Sequence, residues 1–216
     1  MKISIIHPTR HRRKMAIATR MNWLMKADGD VEYLLSIDSD DQTMPPFVKG
    51  IRGPNKTAIE AINRAAKEAT GDLLVVVSDD FGCDMHWDTL LKMEIEGRED
   101  FLVKTRDGIQ PVLVTLPIMD RAYYNRFGYV YHPDYYHMGC DVELTAVAIM
   151  TGKLIYSDLL FPHLHYSTGL TPKDEINEKN DKTYAQGDEV LARHRENNFG
   201  IKHPVCTYES IIWHPQ

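Results

Sequence analysis

Leu73–Val77 is an unbroken apolar run of leucine and valine. Such a run reads as a strand buried on both faces, the kind found at the centre of a parallel sheet. Lys2–His7 (KISIIH), ended by Pro8, and Val31–Ile37 (VEYLLSI) read as two further strands. A helix is expected between them from about Arg13 to Lys26, with Ile17, Met21, Leu24 and Met25 on its inner side. Thr57-Ala-Ile-Glu60 fits a capping box opening a helix over Ala58–Ala69. Its inner face carries Ala58, Ile62, Ala65, Ala66 and Ala69, and Gly71 is a natural C-terminal cap. The order strand, helix, strand, loop, helix, strand indicates an α/β sheet with parallel pairs.

The second half is more irregular. His86–Glu96 reads as a helix bearing Trp87. Phe101–Thr105 and Gln110–Leu116 read as strands flanking a hairpin turn at Arg106-Asp107-Gly108. Asp120 caps a short helix, Arg121–Phe127, ended by Gly128. An aromatic stretch follows, with Tyr123, Tyr124, Tyr129, Tyr131, Tyr135 and Tyr136. Most of these suit core and rim packing; the alternative is a stacking surface for a sugar or base. Gly139–Leu144 opens a helix that runs to Met150, capped by Gly152. Lys153–Tyr156 and Asp158–Phe161 read as late strands. From Tyr166 the composition turns polar: Pro172–Asn198 reads as a long exposed helix or a mobile lid, and Lys202–Gln216 as a tail anchored by Ile211, Ile212 and Trp213.

Bulk properties narrow the class. The 216 residues are 43% apolar, enough for one globular domain with a real core. A formal net charge of −6 argues against a general nucleic-acid coat protein, while leaving room for a local basic site. Three cysteines without C-x-x-C spacing read as free thiols in a reducing compartment. Residues 1–6 are too short and β-branched for a signal peptide, and no apolar run approaches the ~20 residues of a membrane span. The expectation is a soluble, cytoplasmic protein.

The candidate chemistry sits where the strands end. The central run stops on Ser78-Asp79-Asp80, and the second strand closes on Asp38-Ser39-Asp40-Asp41. Carboxylates at the carboxyl end of a buried strand are costly unless a cation sits there, and that edge of an open α/β sheet is where ligands bind. Alternation along a strand gives Asp79 and Asp80 different tasks: one suits a divalent metal, the other a neutral hydroxyl. The plain alternative is a surface turn. Thr9–Lys14 is the densest positive stretch, between a strand and a helix N-terminus, a cradle for phosphates or simply a solvated turn. Asp141 and Glu143 either complement a helix dipole or supply a general base. His163 and His165, spaced H-x-H in extended chain, face one way and suit a metal.

These pieces, in this order, resemble a nucleotide-sugar glycosyltransferase of GT-A architecture, close to the large inverting family numbered 2. Ile3–Arg10 (ISIIHPTR) resembles that family's opening strand and Pro-Thr turn, and Glu32–Ser39 (EYLLSIDS) its second strand. Asn55, Asn63 and Ala69-Thr70-Gly71-Asp72 fall at the spacing of its asparagine-bearing helix, with Ile62 where an arginine is usual and Thr57 where a glycine is usual. Ser78-Asp79-Asp80 resembles the metal-binding acidic motif, with Val77 where a further Asp often stands. Cys140–Leu144 resembles the catalytic Glu-Asp segment, with Cys140 replacing the Glu. The match covers residues 1 to about 165.

The resemblance implies a mixed, mostly parallel sheet flanked by helices. Residues 1–165 would form the transferase domain, with 1–82 as the nucleotide-sugar half and 83–165 as the acceptor and catalytic half; 166–216 would be a helical C-terminal extension or lid. It implies that Pro8, Thr9, Arg10, Asp38, Asn55, Asn63 and Asp79 line the nucleotide-sugar site, with Asp38 on the base and Asp79 on the ribose. Asp80 would ligate Mn²⁺ or Mg²⁺, helped by His163 or His165, and Asp141 would be the general base with Glu143 as the next candidate. The donor implied is a UDP-sugar, transferred with inversion to a glycan or to a hydroxylated base in DNA, as in phage-encoded relatives. Arg121, Arg126 and the basic first loop weigh for DNA, and the net acidity against it. Three rivals remain: a nucleotidyltransferase, although His7–Lys14 has no glycine; a metal-dependent hydrolase using Asp80, His163 and His165; and an inactive sugar-binding module.

Overall fold

In a computed structural model, which describes residues 1–213, the chain starts with β1 (Ile3–Thr9) and α1 (Arg13–Met25). β2 (Val31–Asp38), the short β3 (Ile51–Gly53), α2 (Ala58–Glu68), β4 (Leu73–Val76) and α3 (Trp87–Glu94) follow. The second half runs β5 (Leu102–Arg106), β6 (Ile118–Asp120), α4 (Arg121–Phe127), α5 (Cys140–Met150), β7 (Leu154–Leu160), α6 (Glu175–Asp181) and α7 (Tyr184–Arg195). The strands form one sheet in the order β3-β2-β1-β4-β6-β5-β7. β1 pairs in parallel with both β2 and β4, and β5 with β7, while β6 runs antiparallel between β4 and β5.

The central strand is buried on both faces. Leu74 and Val76 join Ile6 and the α2 alanines Ala65 and Ala66 in one core. Leu73 and Val75 join Ile3, Ile5, Trp23, Trp87 and Phe161 on the opposite side. Parallel pairing then aligns the carboxyl ends: Thr9 registers with Ile37, and Ile6 with Val76, so the tips of β2 and β4 flank the tip of β1.

Several local expectations need correction. Pro8 does not end β1; it registers with Ser36 inside the strand, its fixed φ being compatible with extended chain. α1 buries Ala16, Thr19 and Trp23, leaving Ile17, Met21 and Met25 exposed. The indole decides this: Trp23 stacks on Phe161 at 5.4 Å, meets Trp87 edge-on at 4.9 Å and donates to the Phe81 carbonyl. Thr57 caps α2 through its hydroxyl, but Glu60 turns to Arg64 instead of closing the box. Gly71 is not a left-handed cap; the residue is small because a Cβ there would lie 2.6 Å from Ser4 Oγ.

Gln110–Leu116 is a loop, and β5 pairs with Ile118–Asp120 instead. Asp107 Oδ1 draws that loop inward by accepting from the amides of Ile109 and Gln110 at 2.7 Å. The two late strands are one, β7, with an irregularity opposite Lys104–Arg106. Of the aromatic stretch, Tyr123, Tyr124, Tyr131 and Tyr135 are buried. In the tail, Ile211 and Trp213 pack near Ala146 and Met150 of α5, whereas Ile212 is exposed; residues 214–216 of that expected tail lie outside the described residues. The three cysteines are free thiols, and no helix of the described residues is long and apolar enough to cross a membrane.

At the opposite end of the sheet Glu32 ties three segments together. It accepts from the Ser4 and Thr70 hydroxyls, the Thr70 amide at 2.8 Å and the Lys2 ammonium at 3.2 Å. Burial would raise its pKa, but these hydrogen bonds outweigh it and hold the pKa down to about 2. A depressed carboxylate stabilises the fold above its unfolded pKa of ~4.3 and loses that contribution as pH falls through the folded value. Glu32→Gln is therefore expected to lower stability by about 2–3 kcal/mol at pH 7. In urea unfolding, the gap between the two proteins should shrink as pH is lowered from 4.5 toward 2. A gap independent of pH over that range contradicts this role.

Candidate active site

The aligned tips of β1, β2 and β4 open on a cleft of about 990 Å³. A smaller hollow of about 450 Å³ lies against β5 and β7 and contains none of the candidate residues. The walls of the cleft include Pro8 and Thr9 at the end of β1, Arg10 just after it, Asp38 at the end of β2, and Asn55 before α2. Asp79 and Asp80 after β4, Asp141 on α5, and His163 and His165 after β7 also line it. Residues far apart in the chain meet here because parallel strands all deliver their carboxyl ends to one edge.

Each carboxylate is held differently. Asp38 is buried; one oxygen faces Arg10 at 3.2 Å and the other Arg64 at 3.4 Å. Arg10 also binds Asp40 through both terminal nitrogens, which raises its own pKa. Arg64 passes beneath β3, where a side chain at Gly53 would collide with its guanidinium at 2.3 Å. Asp79 accepts from His7 Nε2 at 2.9 Å and from Thr9 Oγ1 at 3.2 Å. The other ring nitrogen of His7, which is fully buried, meets the Tyr33 hydroxyl at 2.6 Å. With Tyr33 donating to Nδ1 and Nε2–H donating to Asp79, every group in that chain is satisfied.

Asp80 points elsewhere. Its Oδ1 accepts from the Ser78 hydroxyl, and its Oδ2 lies 3.3 Å from His163 Nε2. Burial alone would raise the Asp80 pKa, but the hydrogen bond and charge of His163, the Ser78 hydroxyl and the charge of Arg12 leave it well below the usual carboxylate range. The His163 ring stacks on Phe81 at 4.1 Å and stands 5.1 Å from the His165 ring. His165 engages Ser167 through Nδ1 at 2.8 Å. Asp141, in the first turn of α5, has its pKa raised by burial, only partly offset by its own and the Val142 amides.

Two sequence candidates fall outside the cleft lining. Asn63 is a clamp: its amide donates to the Tyr131 carbonyl at 2.7 Å and accepts from the Val130 amide at 2.9 Å, which leaves little for a nucleotide. Glu143 faces the other side of α5, where it accepts from the Tyr135 hydroxyl at 2.8 Å and meets His194 Nδ1 at 2.7 Å. Neighbours on a helix point some 100° apart per residue, so Asp141 and Glu143 cannot share a face.

Two others were missed. Arg12 lines the cleft within electrostatic reach of Asp79 and Asp80, and forms a bidentate pair with Asp174 at 2.6 and 2.7 Å. It stands in the basic stretch, which gave only its position. His137 also lines the cleft, and among the described residues its buried Nδ1 has no hydrogen-bond partner. Burial, with the charge of Arg12, pushes its pKa down to about 4, so it is neutral at pH 7. No sequence signal marks it beyond its place four residues before Asp141.

The chain after residue 165 forms α6 and α7 over this cleft instead of one long helix. Asp174 caps α6 while holding Arg12, and Lys179 reaches Asn55 at 3.4 Å. Thr183 Oγ1 accepts from the Met138 amide at 3.1 Å. α7 crosses so close to the 136–139 segment that a Cβ on Gly187 would lie 2.2 Å from the Met138 carbonyl oxygen.

Comparison with known proteins gives a fold relationship. No family model matches the chain, and no curated protein matches it in sequence. Among solved structures, TarS of S. aureus superposes with a TM-score of 0.60 at 16% identity over 94% of this chain and 46% of that one. The chain thus spans less than half of TarS. The mannosyltransferase PcManGT of Pyrobaculum calidifontis, solved with GDP-Man and Mn²⁺, gives 0.60 at 15% identity over 90% and 75%. Glucosyl-3-phosphoglycerate synthase of Mycobacterium tuberculosis, solved with Mn²⁺, UDP-Glc and phosphoglyceric acid, gives 0.59 at 17% identity over 89% and 79%. The protein has the GT-A fold of these glycosyltransferases.

Gly187 gives a test of how α7 seats. Alanine normally stabilises a helix relative to glycine by about 0.5–1 kcal/mol. Here the contact with Met138 reverses the sign, and Gly187→Ala is expected to cost about 1–3 kcal/mol. The melting temperature should fall by several degrees; a rise would show that α7 does not press on the 136–139 segment.

Proposed function

We propose that the protein transfers a sugar from a nucleotide-sugar donor, a UDP-sugar, to an acceptor hydroxyl, with a divalent cation and with inversion. The observation that carries this reading is the gathering of Arg10, Asp38, Asp79, Asp80 and Asp141 on the walls of one cleft at the strand tips of a GT-A fold. Residues 1–165 act as the transferase core in this reading, and the extension that follows supplies its cover through α6 and the start of α7.

The donor set fits a cation. Asp80 is an ionised carboxylate, with an imidazole nitrogen of His163 beside one of its oxygens and His165 nearby. A mixed oxygen and nitrogen set suits Mn²⁺ better than Mg²⁺, which prefers oxygen alone. When bound, the cation neutralises charge developing on the departing diphosphate. Asp80 and His163 would hold it, Arg12 would add positive charge at the same end, and Asp79, locked by His7 and Thr9, would accept from a ribose hydroxyl. Asp38 would accept from the nucleobase.

Asp141 takes the proton of the acceptor hydroxyl. Its desolvated carboxyl is a stronger base than an exposed aspartate. Attack assisted from α5, with the leaving group held at the β4 tip, gives inversion. Exposed Tyr136 and Tyr184 line the same opening and suit the face of a sugar ring, which favours a glycan acceptor. The arginines that weighed for DNA are engaged elsewhere: Arg121 donates to the carbonyls of Ala69 and Gly71, and Arg126 pairs with Asp100.

Thermal shift with UDP, GDP and their sugars, with and without Mn²⁺, tests the donor half. A nucleotide at a hundredfold excess over its Kd adds ~2.7 kcal/mol, about 5–10 °C for a chain of this size. The manganese-dependent part should vanish in Asp80→Ala and persist in Asp141→Asn. No shift with any nucleotide sinks the reading. For the donor so identified, Asp141→Asn should lower UDP release by about 10²–10⁴-fold. Because the base acts deprotonated and its pKa is raised, kcat/KM should fall as pH drops through a value above the ~3.9 of an ordinary aspartate. Near-normal turnover in the variant removes Asp141 from the role.

A further inference from the structure

Outside the cleft, a second group of side chains has the composition of a metal site. His132 and Asp134 lie on the segment between α4 and α5, and His194 lies in the last turn of α7. One donor atom from each falls within 4.8 Å of the others. His194 Nε2 is 3.2 Å from Asp134 Oδ2, and the two imidazole rings are 4.2 Å apart.

The residue behind the group is as telling as the group itself. Glu143, buried on α5, holds His194 Nδ1 at 2.7 Å while the Tyr135 hydroxyl steadies the same Glu143 oxygen at 2.8 Å. A carboxylate on one imidazole nitrogen fixes the ring and makes the other nitrogen a better ligand, the arrangement found behind metal-bound histidines. Glu143 has no other evident task, since it does not line the cleft.

We propose that His132, Asp134 and His194 form a second divalent-metal site, oriented by Glu143 and separate from the cleft. Two imidazoles and one carboxylate select a borderline transition ion such as Zn²⁺ over Mg²⁺ or Ca²⁺. With ligand bonds of about 2.0–2.2 Å, the donors close up by about an ångström. Water completes the coordination, because the site is open: Asp134 is exposed and the histidines are half-buried. Three contacts must yield. The His194 Nε2–Asp134 Oδ2 contact at 3.2 Å is replaced by the ion between them. Arg193, itself exposed, pairs with Asp134 Oδ2 at 2.6 Å and swings into solvent. The Asp134 amide points at His132 Nδ1 at 3.2 Å and is released if that nitrogen binds the ion. The ion would join α7 to the segment that carries Tyr136, His137 and Met138 into the cleft wall, bracing that wall from behind.

This site does not depend on the sugar-transfer reading, and its test can be kept apart from it. In the Asp80→Ala background, which disables the cleft cation site, the chelator-stripped full chain is titrated with Zn²⁺ against a chromophoric competitor. One equivalent should bind tightly and raise the melting temperature. His132→Ala and Asp134→Asn should each abolish that equivalent; Asp134 is exposed, and the half-buried His132 ring packs only edge-on against Tyr129 and His194. Glu143→Gln should weaken it by about 10–100-fold, whereas Arg193→Ala should tighten it. Folding of each variant is checked by circular dichroism without metal; His194→Ala is avoided because it strands Glu143. Absence of a tight equivalent in the Asp80→Ala protein, or one unchanged by His132→Ala, overturns the proposal.

Discussion

Three carboxylates ending two parallel strands on either side of β1 set the terms for the rest of the molecule. A buried carboxylate without partners costs several kcal/mol, and here each has partners drawn from distant parts of the chain. Asp38 sits between Arg10 and Arg64, Asp79 between His7 and Thr9, and Asp80 between Ser78 and His163. The sheet is therefore polarised. Its interior is leucine, isoleucine and valine, and its carboxyl edge is a charged rim that an apolar neighbour cannot cover. Each carboxylate has its own partners, so removing one strands those partners and leaves the other two held.

The cover over this rim is built from polar side chains more than from apolar ones. α6 carries no fully buried residue and is held by Asp174 on Arg12 and Lys179 on Asn55. α7 seats by close backbone approach at Gly187. Ion pairs at a partly exposed surface are individually weak, so the segment over the cleft is held far less firmly than the sheet beneath it. Under the proposed function, that gradient suits a site that admits its donor and then excludes water from it.

Much of this was legible in the sequence because period-two strands and parallel pairing are strong constraints. Once Leu73–Val77 is read as a central strand, Asp79 and Asp80 must emerge at its carboxyl end, and Asp38 emerges beside them. The losses have a common cause, contacts between residues remote in the chain. The methionines of α1 have helical spacing, yet Trp23 faces inward because Trp87 and Phe161 await it. Asn63 and Glu143 carry the residue types of a site, but their bonds run to Tyr131 and His194, 68 and 51 residues away. Gln110–Leu116 has the apolar content of a strand, but Asp107 holds its start in a loop. His137 is found only by its buried nitrogen.

The most direct measurement is a crystal structure of the full chain grown with UDP and Mn²⁺, with anomalous scattering recorded at the manganese edge. An anomalous peak bonded to the Asp80 carboxylate and to a diphosphate oxygen, with the uracil near Asp38 and the ribose near Asp79, is the expected result. UDP bound away from the β1, β2 and β4 tips, or manganese in that cleft without contact to Asp80, would contradict it.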